Sequence, residues 1–246
     1  MIGGTRPNVV AVRVRRVVTT RAGGASRAPF EQFNLSVGVG DDPAAVAANR
    51  RRLAAGVGLP VKSVVWMRQV HGTTTATVGA PPERDLAEVD AMVTNRPQLA
   101  LAVLAADCVP VLLADPEAGV LGAVHAGRVG AADGVLPAAL AAMGRLGARP
   151  ERTEALLGPS VCGACYEVPA AMRAQVQAAL PGSACVTKAG TPGLDLRAGL
   201  RQQLRELGVT RVDTDPRCTV EDPALYSHRR DGHTGRLAAL TWLDPV

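Results

Sequence analysis

The sequence of 246 residues is poor in aromatic residues, lysines and histidines. It has two tryptophans, two tyrosines, two phenylalanines and four histidines, and its only lysines are Lys62 and Lys188. Nucleic-acid binding usually needs a basic stripe interleaved with stacking aromatic side chains. We therefore expect no nucleic-acid partner, although the formal net charge is +5. Most of the basic residues are arginines, whose planar donors suit the phosphate of a small substrate.

A long hydrophobic run is also lacking. The most apolar stretch, Leu99 to Ala106, is closed by Asp107 and followed by Pro110, far short of the roughly 20 apolar residues of a membrane span. The N-terminus shows no charged segment followed by an apolar block and a cleavage site. We therefore expect no membrane contact and a cytoplasmic location. The five cysteines are an odd set, and in that compartment we expect them to be reduced.

Strands and helices that do not alternate strictly predict an α+β fold, with one domain over residues 1–246. Short apolar or alternating runs, typical of strands, occur at Val9 to Thr20, Val64 to Val70, Leu99 to Leu104, Val109 to Ala114, Val120 to Val124, Glu154 to Leu157, Ala184 to Thr187 and Leu237 to Trp242. Helical patterns run from the Asp41-Asp42-Pro43 cap to Gly56, from Gly134 to Gly147, from Pro169 to Leu180, and onward from Asp195. The segment from Val78 to Glu88 is expected to be a surface loop.

Two of these runs predict a hairpin that matters for chemistry. Val109 to Ala114 and Val120 to Val124 flank a five-residue loop that contains proline and glycine. In a hairpin, the start of the first strand and the end of the second strand meet at one end of the sheet. Cys108 and His125 would then be neighbours in space.

Three potential metal ligands each follow or end an apolar run. They are His71 in Gln69-Val70-His71-Gly72, Cys108 in Ala106-Asp107-Cys108, and His125 in Val124-His125-Ala126-Gly127. Two imidazoles and a thiolate with room for a fourth ligand are typical of a catalytic zinc or copper site. Taken singly, each residue is equally consistent with a structural histidine or a small buried cysteine.

Other polar residues leave more than one interpretation open. Asp107 is able to orient its neighbour, to act as an acid or base, or to cap the following turn. Cys162 and Cys165 have the spacing of a metal or redox pair, but we interpret this single pair as structural. The polar segment from Ser227 to Gly235 is either a solvated loop or a loop that closes over an anion.

Six motifs, in order along nearly the whole chain, resemble those of the YfiH-like family, variously described as peptidoglycan editing factors, laccase-domain proteins and purine nucleoside phosphorylases. The motifs are Phe33-Asn34-Leu35-Ser36 with Val39-Gly40-Asp41 and Asn49-Arg50; Gln69-Val70-His71-Gly72; Ala106-Asp107-Cys108; Val124-His125-Ala126-Gly127; Gly158-Pro159-Ser160; and Arg229-Arg230-Asp231-Gly232 with Thr234-Gly235-Arg236. The resemblance implies a single-domain α/β/β/α layered sandwich with mixed sheets. It also implies that His71, Cys108 and His125 are the catalytic, metal-binding residues.

The sequence departs from the family at one motif. The family usually continues its histidine-alanine-glycine motif with tryptophan, arginine and glycine, whereas Arg128, Val129 and Gly130 follow here. The arginine therefore lies one residue early, and an aromatic wall is expected to be missing.

The resemblance implies phosphorolysis of adenosine, inosine and S-methyl-5′-thioadenosine, together with adenosine deamination. A zinc ion with three protein ligands lowers the pKa of bound water toward 7 and so suits attack on C6 of adenine, with Asp107 as the candidate proton carrier. Zinc is the expected metal and copper the alternative. Asn34, Arg50 and Arg229 are the expected substrate-binding residues by their positions in matching motifs, with the two arginines assigned to phosphate.

Three other functions remain open at this point. A laccase is disfavoured, because oxygen reduction needs a further histidine-rich copper cluster that four histidines do not supply. A cytoplasmic cysteine hydrolase or amidase would use Cys108 as nucleophile on a peptidoglycan precursor. A binding protein with a closed structural metal site would need a fourth protein ligand such as His233.

Overall fold

The computed structural model describes residues 12–245. Within this range the strands are β1 (Val12–Val18), β2 (Val64–Val65), β3 (Met67–Arg68), β4 (Thr75–Thr77), β5 (Leu86–Ala87), β6 (Ala91–Thr94), β7 (Ala100–Ala105), β8 (Val109–Asp115), β9 (Val120–Ala126), β10 (Glu154–Leu157), β11 (Ala184–Val186), β12 (Pro192–Leu194), β13 (Arg211–Thr214) and β14 (Leu237–Pro245). The helices are α1 (Pro43–Gly56), α2 (Arg128–Asp133), α3 (Val135–Arg145), α4 (Ala170–Ala179), α5 (Leu196–Glu206) and α6 (His228–Asp231). Two short 3₁₀ helices cover Val61–Ser63 and Pro150–Arg152.

Two mixed sheets pack face to face at the centre of the fold. One has the strand order β1-β14-β7-β2, and the other has the order β13-β10-β8-β9-β6-β4. Leu101 and Leu243 from the first sheet meet Leu112 and Leu121 from the second in one buried apolar cluster. Because β7, β8 and β9 are buried along their whole length, their sequences are nearly continuous apolar runs rather than alternating ones.

Helices cover the outer face of each sheet. Leu53 of α1 packs on Trp66 and Leu240 outside the four-stranded sheet. On the six-stranded sheet, Leu136 of α3 and Leu200 of α5 belong to the buried cluster that includes the outward side chains of β8 and β9. Each such leucine contributes roughly 1.5–3 kcal/mol by burial. The layers are therefore α/β/β/α in a single-domain α+β fold, which confirms the predicted fold class.

The predicted hairpin is present. β8 and β9 pair antiparallel, with Val109 opposite Ala126 and Asp115 opposite Val120. The helix predicted from Pro43 is also present, and the Asp42 carboxylate caps it by accepting a hydrogen bond from the Ala44 N–H at 2.9 Å.

Some predicted boundaries were wrong. The run from Val64 to Val70 divides into β2 and β3, and the expected surface loop from Val78 to Glu88 contains β5. The expected loop from Ser227 to Gly235 begins with the single helical turn of α6. Of the strand predicted from Val9 to Thr20, residues 9–11 lie outside the described residues.

No helix among residues 12–245 combines the length and the apolar character that a membrane crossing requires.

Candidate active site

The β8–β9 hairpin brings two of the three potential ligands together. Pro110 pairs with His125, so Cys108 lies just before the paired part of β8, and His125 lies near the end of β9. His71 arrives from the segment after β3. The Cys108 Sγ lies 3.8 Å from the His71 Nε2, and the His71 and His125 rings meet edge to face at 4.8 Å. The ligand atoms of all three residues lie within 4.8 Å of one another.

A fully buried carboxylate, Asp90, holds the backbone around His71 and the side chain of His125. It accepts hydrogen bonds from the backbone N–H groups of Val70, His71 and Gly72 at 3.1, 2.9 and 2.8 Å. Its Oδ1 also lies 2.8 Å from the His125 Nδ1. The Nε2 of His125 therefore remains available to bind a ligand in the site. A metal-binding histidine is usually held by a carboxylate at its other ring nitrogen in this way.

Close backbone packing holds the His71 segment in place. His71 has a positive φ of 62°, a left-handed conformation that costs a non-glycine residue of the order of 1 kcal/mol. A Cβ added at Gly127 would lie 2.7 Å from the His71 Cδ2 and 3.2 Å from the Cys108 Sγ. One added at Gly130 would lie 2.7 Å from the Gly72 carbonyl oxygen. The two glycines therefore permit the close approach that the site requires.

The charges of the site favour a thiolate. Burial raises the pKa of Cys108, but the charge of His125 and hydrogen bonds from His125 and His71 outweigh burial and lower it well below its ordinary value. Burial lowers the pKa of His125, but Cys108 and Asp90 outweigh it and raise that pKa. A thiolate and two imidazoles form the donor set that zinc and copper prefer. His71 is exposed and Cys108 half-buried, so these donors are reached from solvent.

The three residues lie in a cleft of about 610 Å³, a typical volume for a small-molecule site. Its lining comprises Ser36, Val37, Gly38, Met67, Arg68, Gln69, His71, Asp85, Leu104, Ala105, Ala106, Asp107, Cys108, His125, Arg128, Val161, Tyr166, Leu196, His228, Arg229 and Arg236. Four arginines in this set make the cleft suitable for an anion.

Asp107 lines the cleft, but its carboxylate is engaged. Asp107 has a positive φ of 89°. Its Oδ1 accepts hydrogen bonds from the Thr219 and Ser227 hydroxyls at 2.6 and 2.7 Å, and its Oδ2 accepts one from the Arg229 backbone N–H at 2.6 Å. Ser227 in turn accepts a bond from the Arg230 N–H and caps α6. Asp107 thus ties the C-terminal polar segment to the cleft.

Arginine and tyrosine side chains surround the thiol. The Arg229 guanidinium lies 4.9 Å from the centre of the Tyr166 ring, and its Nη1 donates to the Glu167 carbonyl at 3.1 Å. Burial raises the pKa of Tyr166, which Arg128 and Arg229 partly offset, so both arginines lie near this ring. Val129 is exposed, whereas Arg128 lines the cleft. Among the described side chains that line the cleft, Tyr166 is the one Phe, Tyr or Trp.

Two of the expected substrate-binding residues lie behind the cleft lining. Buried Asn34 donates to Asp41 at 2.9 Å and accepts from the Arg236 N–H at 2.9 Å. Arg50 makes a two-pronged ion pair with Asp85, with both N–O distances at 2.9 Å, and its guanidinium lies 4.2 Å from the Trp66 ring centre. Arg229 is the member of the expected set that faces the cleft.

The other two histidines bond to backbone carbonyls, although His228 also lines the cleft. The His228 Nδ1 lies 2.6 Å from the Gly232 carbonyl oxygen, and the His233 Nε2 lies 2.6 Å from the Val39 carbonyl oxygen. Among the described residues, His233 is not part of the ligand group around Cys108.

Three residues of the site have no role predicted from the sequence: Asp90, Tyr166 and Arg236. Asp90 had a usable signal, because it interrupts the apolar run from Val89 to Val93, and a buried carboxylate needs partners. Arg236 was part of a recognised motif but received no role. Tyr166 follows an irregular loop, and no local pattern places it near Cys108.

Comparison with known proteins identifies the family. Residues 15–244 match a family model described as multi-copper polyphenol oxidoreductase laccase. A purine nucleoside phosphorylase of Mycobacterium tuberculosis is 61% identical over 96% of this chain and 94% of its own length. One of Corynebacterium glutamicum is 54% identical over 94% of each chain. The solved structure of the hypothetical protein YfiH of Bacillus licheniformis superposes with a TM-score of 0.86 at 29% identity, covering 96% of this chain and 98% of that one. The chain therefore belongs to the YfiH-like, laccase-domain family.

Proposed function

We propose that the protein is a purine nucleoside phosphorylase for adenosine, inosine and S-methyl-5′-thioadenosine, and that it also deaminates adenosine. The observation that carries the proposal is the convergence of His71, Cys108 and His125 in an arginine-lined cleft. The names of the two relatives from Mycobacterium tuberculosis and Corynebacterium glutamicum support the phosphorylase part of the proposal.

In phosphorolysis, an oxygen of phosphate forms a bond to C1′ of the ribose, the bond from C1′ to N9 breaks, and the purine leaves and takes up a proton. The chain's contribution is to hold the two reactants together and to balance charge. We assign phosphate binding to Arg229 together with Arg128 and Arg236, which line the cleft. The fourth lining arginine, Arg68, is exposed and pairs with Glu88. The Tyr166 ring offers an apolar face for the purine.

Arg50 and Asn34 are assigned indirect roles. Arg50 holds Asp85, whose carboxylate lines the cleft and suits the ribose hydroxyls as an acceptor. Asn34 fixes the backbone at Arg236. Both residues would then shape the nucleoside site without contacting phosphate.

His71, Cys108 and His125 would hold the metal, with zinc preferred and copper as the alternative. When bound, the metal supplies a Lewis acid that lowers the pKa of water and polarises substrate oxygen or nitrogen. Asp90 holds the His125 imidazole through its Nδ1 and the His71 segment through the backbone N–H, so that both residues are held beside Cys108. Gly127 keeps their approach to the thiolate open.

For deamination, Asp107 is the lining carboxylate adjacent to Cys108. Its three hydrogen bonds favour an orienting role, in which it holds α6 and Arg229 against the substrate. Proton transfer by Asp107 requires exchange of one of these bonds for the substrate.

Laccase chemistry receives little support from the residues. A copper bound by His71, Cys108 and His125 would still need a separate histidine-rich cluster to reduce oxygen. The two other histidines of the sequence, His228 and His233, bond to backbone carbonyls instead.

A cysteine hydrolase acting on a peptidoglycan precursor is the second candidate. The observation in its favour is the lowered pKa of Cys108 beside His125, the pairing that activates a nucleophilic cysteine. In either function the thiol must stay reduced, which a cytoplasmic location provides.

The decisive experiment incubates the purified protein with adenosine and phosphate and detects adenine, inosine and hypoxanthine separately. Phosphate-dependent adenine indicates phosphorolysis, and phosphate-independent inosine indicates deamination. Hypoxanthine that forms only with phosphate indicates both steps in succession. The absence of all three products, from protein loaded with zinc and in parallel with copper, would contradict the proposal. Activity of metal-free protein that is lost on alkylation of Cys108 would favour the hydrolase.

A further inference from the structure

A second cluster of potential ligands lies outside the proposed catalytic trio. It consists of Cys162, Cys165, Cys218 and Glu221, whose sulfur and carboxylate atoms all lie within 4.8 Å of one another. The Cys165 Sγ lies 3.3 Å from the Glu221 Oε1, and the Cys162 N–H donates to the Cys218 Sγ at 3.4 Å. Cys162 and Cys165, expected from the sequence to be a structural pair, thus have two further partners 53 or more residues away in sequence.

The cluster is built from two tight turns of the same form. In the first, the Cys165 N–H donates to the Cys162 carbonyl at 3.0 Å, and in the second the Glu221 N–H donates to the Cys218 carbonyl at 3.2 Å. Each turn therefore presents one ligand at its first position and another at its fourth position. Ser160 and Cys218 are joined by a parallel bridge, which holds the turns side by side.

We propose that these four residues bind a thiophilic divalent cation such as Zn²⁺, with three thiolates and the Glu221 carboxylate as ligands. Binding releases the thiol protons to solvent. Tetrahedral zinc with bonds of about 2.3 Å to sulfur places neighbouring sulfurs roughly 3.8 Å apart. The observed separations, all within 4.8 Å, need a contraction of about 1 Å at most.

The donor set and its surroundings favour a metal over a disulfide. A disulfide would join two of the cysteines and leave the third thiol beside a carboxylate, whereas a tetrahedral cation uses all four groups. Lys188 lies 3.5 Å from the Glu221 Oε1, but both side chains are more than half exposed, so this ion pair is weak. Glu221 is therefore free to turn toward a cation.

The cluster is connected to the cleft. Next to Cys162, the Val161 N–H donates to the Asp107 carbonyl at 3.0 Å, and Val161 lines the cleft. Next to Cys218, Thr219 donates to the Asp107 carboxylate. A cation in the cluster would tie together the two segments that support Asp107, so its role is structural.

The test measures how many zinc ions each protein molecule binds. Metal-free, reduced protein is titrated with zinc, excess zinc is removed, and the stoichiometry is determined by mass spectrometry. Wild type is expected to bind two equivalents. The Cys162→Ser/Cys218→Ser variant is expected to bind one equivalent of zinc, and Cys108→Ala/His125→Ala is also expected to bind one. The variant that combines all four substitutions is expected to bind none. Cys185→Ser is the matched control, because the Cys185 Sγ lies 3.4 Å from the Gly163 carbonyl beside the cluster but is not a member of it. It is expected to retain two equivalents.

A second measurement uses the wild-type protein and so tests the proposal even where the variants do not fold. Alkylation of wild-type protein followed by peptide mapping should modify Cys162, Cys165 and Cys218 slowly with zinc bound and at least tenfold faster after chelation, while Cys185 reacts equally in both states. Unchanged zinc content in Cys162→Ser/Cys218→Ser, equal alkylation rates, or a native disulfide within the cluster would overturn the proposal. The wild-type count of two equivalents includes a zinc at the proposed catalytic trio. The loss of one equivalent in Cys162→Ser/Cys218→Ser and the alkylation rates test the cluster alone, and neither depends on nucleoside turnover.

Discussion

Two fully buried aspartates lie near opposite ends of the β8–β9 hairpin and serve different purposes: Asp115 ends β8 at the turn, and Asp90 precedes β6 beside the open end of β9. Asp115, at the turn end, accepts hydrogen bonds from the N–H groups of Glu117, Ala118 and Arg149 and forms an ion pair with Arg152 at 2.8 Å. Asp90, at the open end, likewise accepts three backbone N–H groups, but its side-chain partner is His125.

The comparison shows that the burial of a carboxylate does not by itself indicate function. Both aspartates satisfy their oxygens in the same way, and burial, which raises the pKa of each, is outweighed by these bonds in both cases. The difference is the partner. Arg152 carries a permanent charge and only holds the turn, whereas His125 has a second ring nitrogen that faces the cleft.

The largest effect is expected from removing a ligand at the open end. Cys108→Ala or His125→Ala should lower kcat/KM for nucleosides by more than roughly 100-fold, which is the upper end of the loss seen when a residue hydrogen-bonded to a metal ligand is replaced. Thermal unfolding should still be cooperative, because neither change disturbs the β8–β9 pairing. Full activity in either folded variant would remove the trio from the mechanism.

Asp90→Asn tests whether the open-end carboxylate acts through the histidines. The amide keeps the size of the side chain but replaces one acceptor by a donor that faces backbone N–H groups or His125. We expect a 10- to 100-fold loss of kcat/KM and of zinc affinity, with about 1–3 kcal/mol lost from the free energy of unfolding. A stability loss without a change in zinc affinity would reduce Asp90 to the same purely structural role as Asp115.

Asp115→Asn is the matched control at the turn end. It should lose a similar 1–3 kcal/mol of stability and leave kcat/KM and zinc affinity unchanged at a temperature where the variant is folded. A loss of activity comparable to that of Asp90→Asn would break the comparison.

The contribution of Asp115 to the free energy of unfolding depends on pH in a defined way. The pKa of Asp115 is lower in the folded protein than in the unfolded chain, so its contribution to stability is present above the unfolded pKa of about 3.9 and is lost as the pH falls through the folded pKa. Wild type should therefore lose stability in the acid range more steeply than Asp115→Asn. Parallel Tm-against-pH curves below about pH 4 would contradict this assignment.

The sequence predicted the parts of the site that depend on local pairing. The proline- and glycine-containing loop fixes the hairpin, and the hairpin fixes Cys108 beside His125. Apolar runs also located β7 and β8, and the Asp41-Asp42-Pro43 cap located the helix α1, because burial and capping leave local patterns.

Contacts between segments that are distant in sequence could not be predicted from local patterns. Asp90 meets His125 across 35 residues, and Cys162 meets Cys218 across 56. Arg50 lies in a family motif and on a basic helix, yet its guanidinium pairs with Asp85, a residue of an irregular loop. No periodicity encodes such partners, because they are set by how the layers pack.

The smallest loss of activity expected at the open end comes from Gly127, where backbone contact rather than charge sets the geometry. In Gly127→Ala the added Cβ would lie 2.7 Å from the His71 Cδ2, so the imidazole must move by a few tenths of an ångström or more. Since a misplacement of about 1 Å can cost roughly 100-fold, we expect a loss of about tenfold in kcat/KM. Gly144→Ala in α3 is the control, because nothing lies within 4 Å of its added Cβ. It should raise stability by about 0.5–1 kcal/mol without affecting turnover. Equal kcat/KM in both variants would show that His71 tolerates displacement, and the close approach at Gly127 would then be a packing feature only.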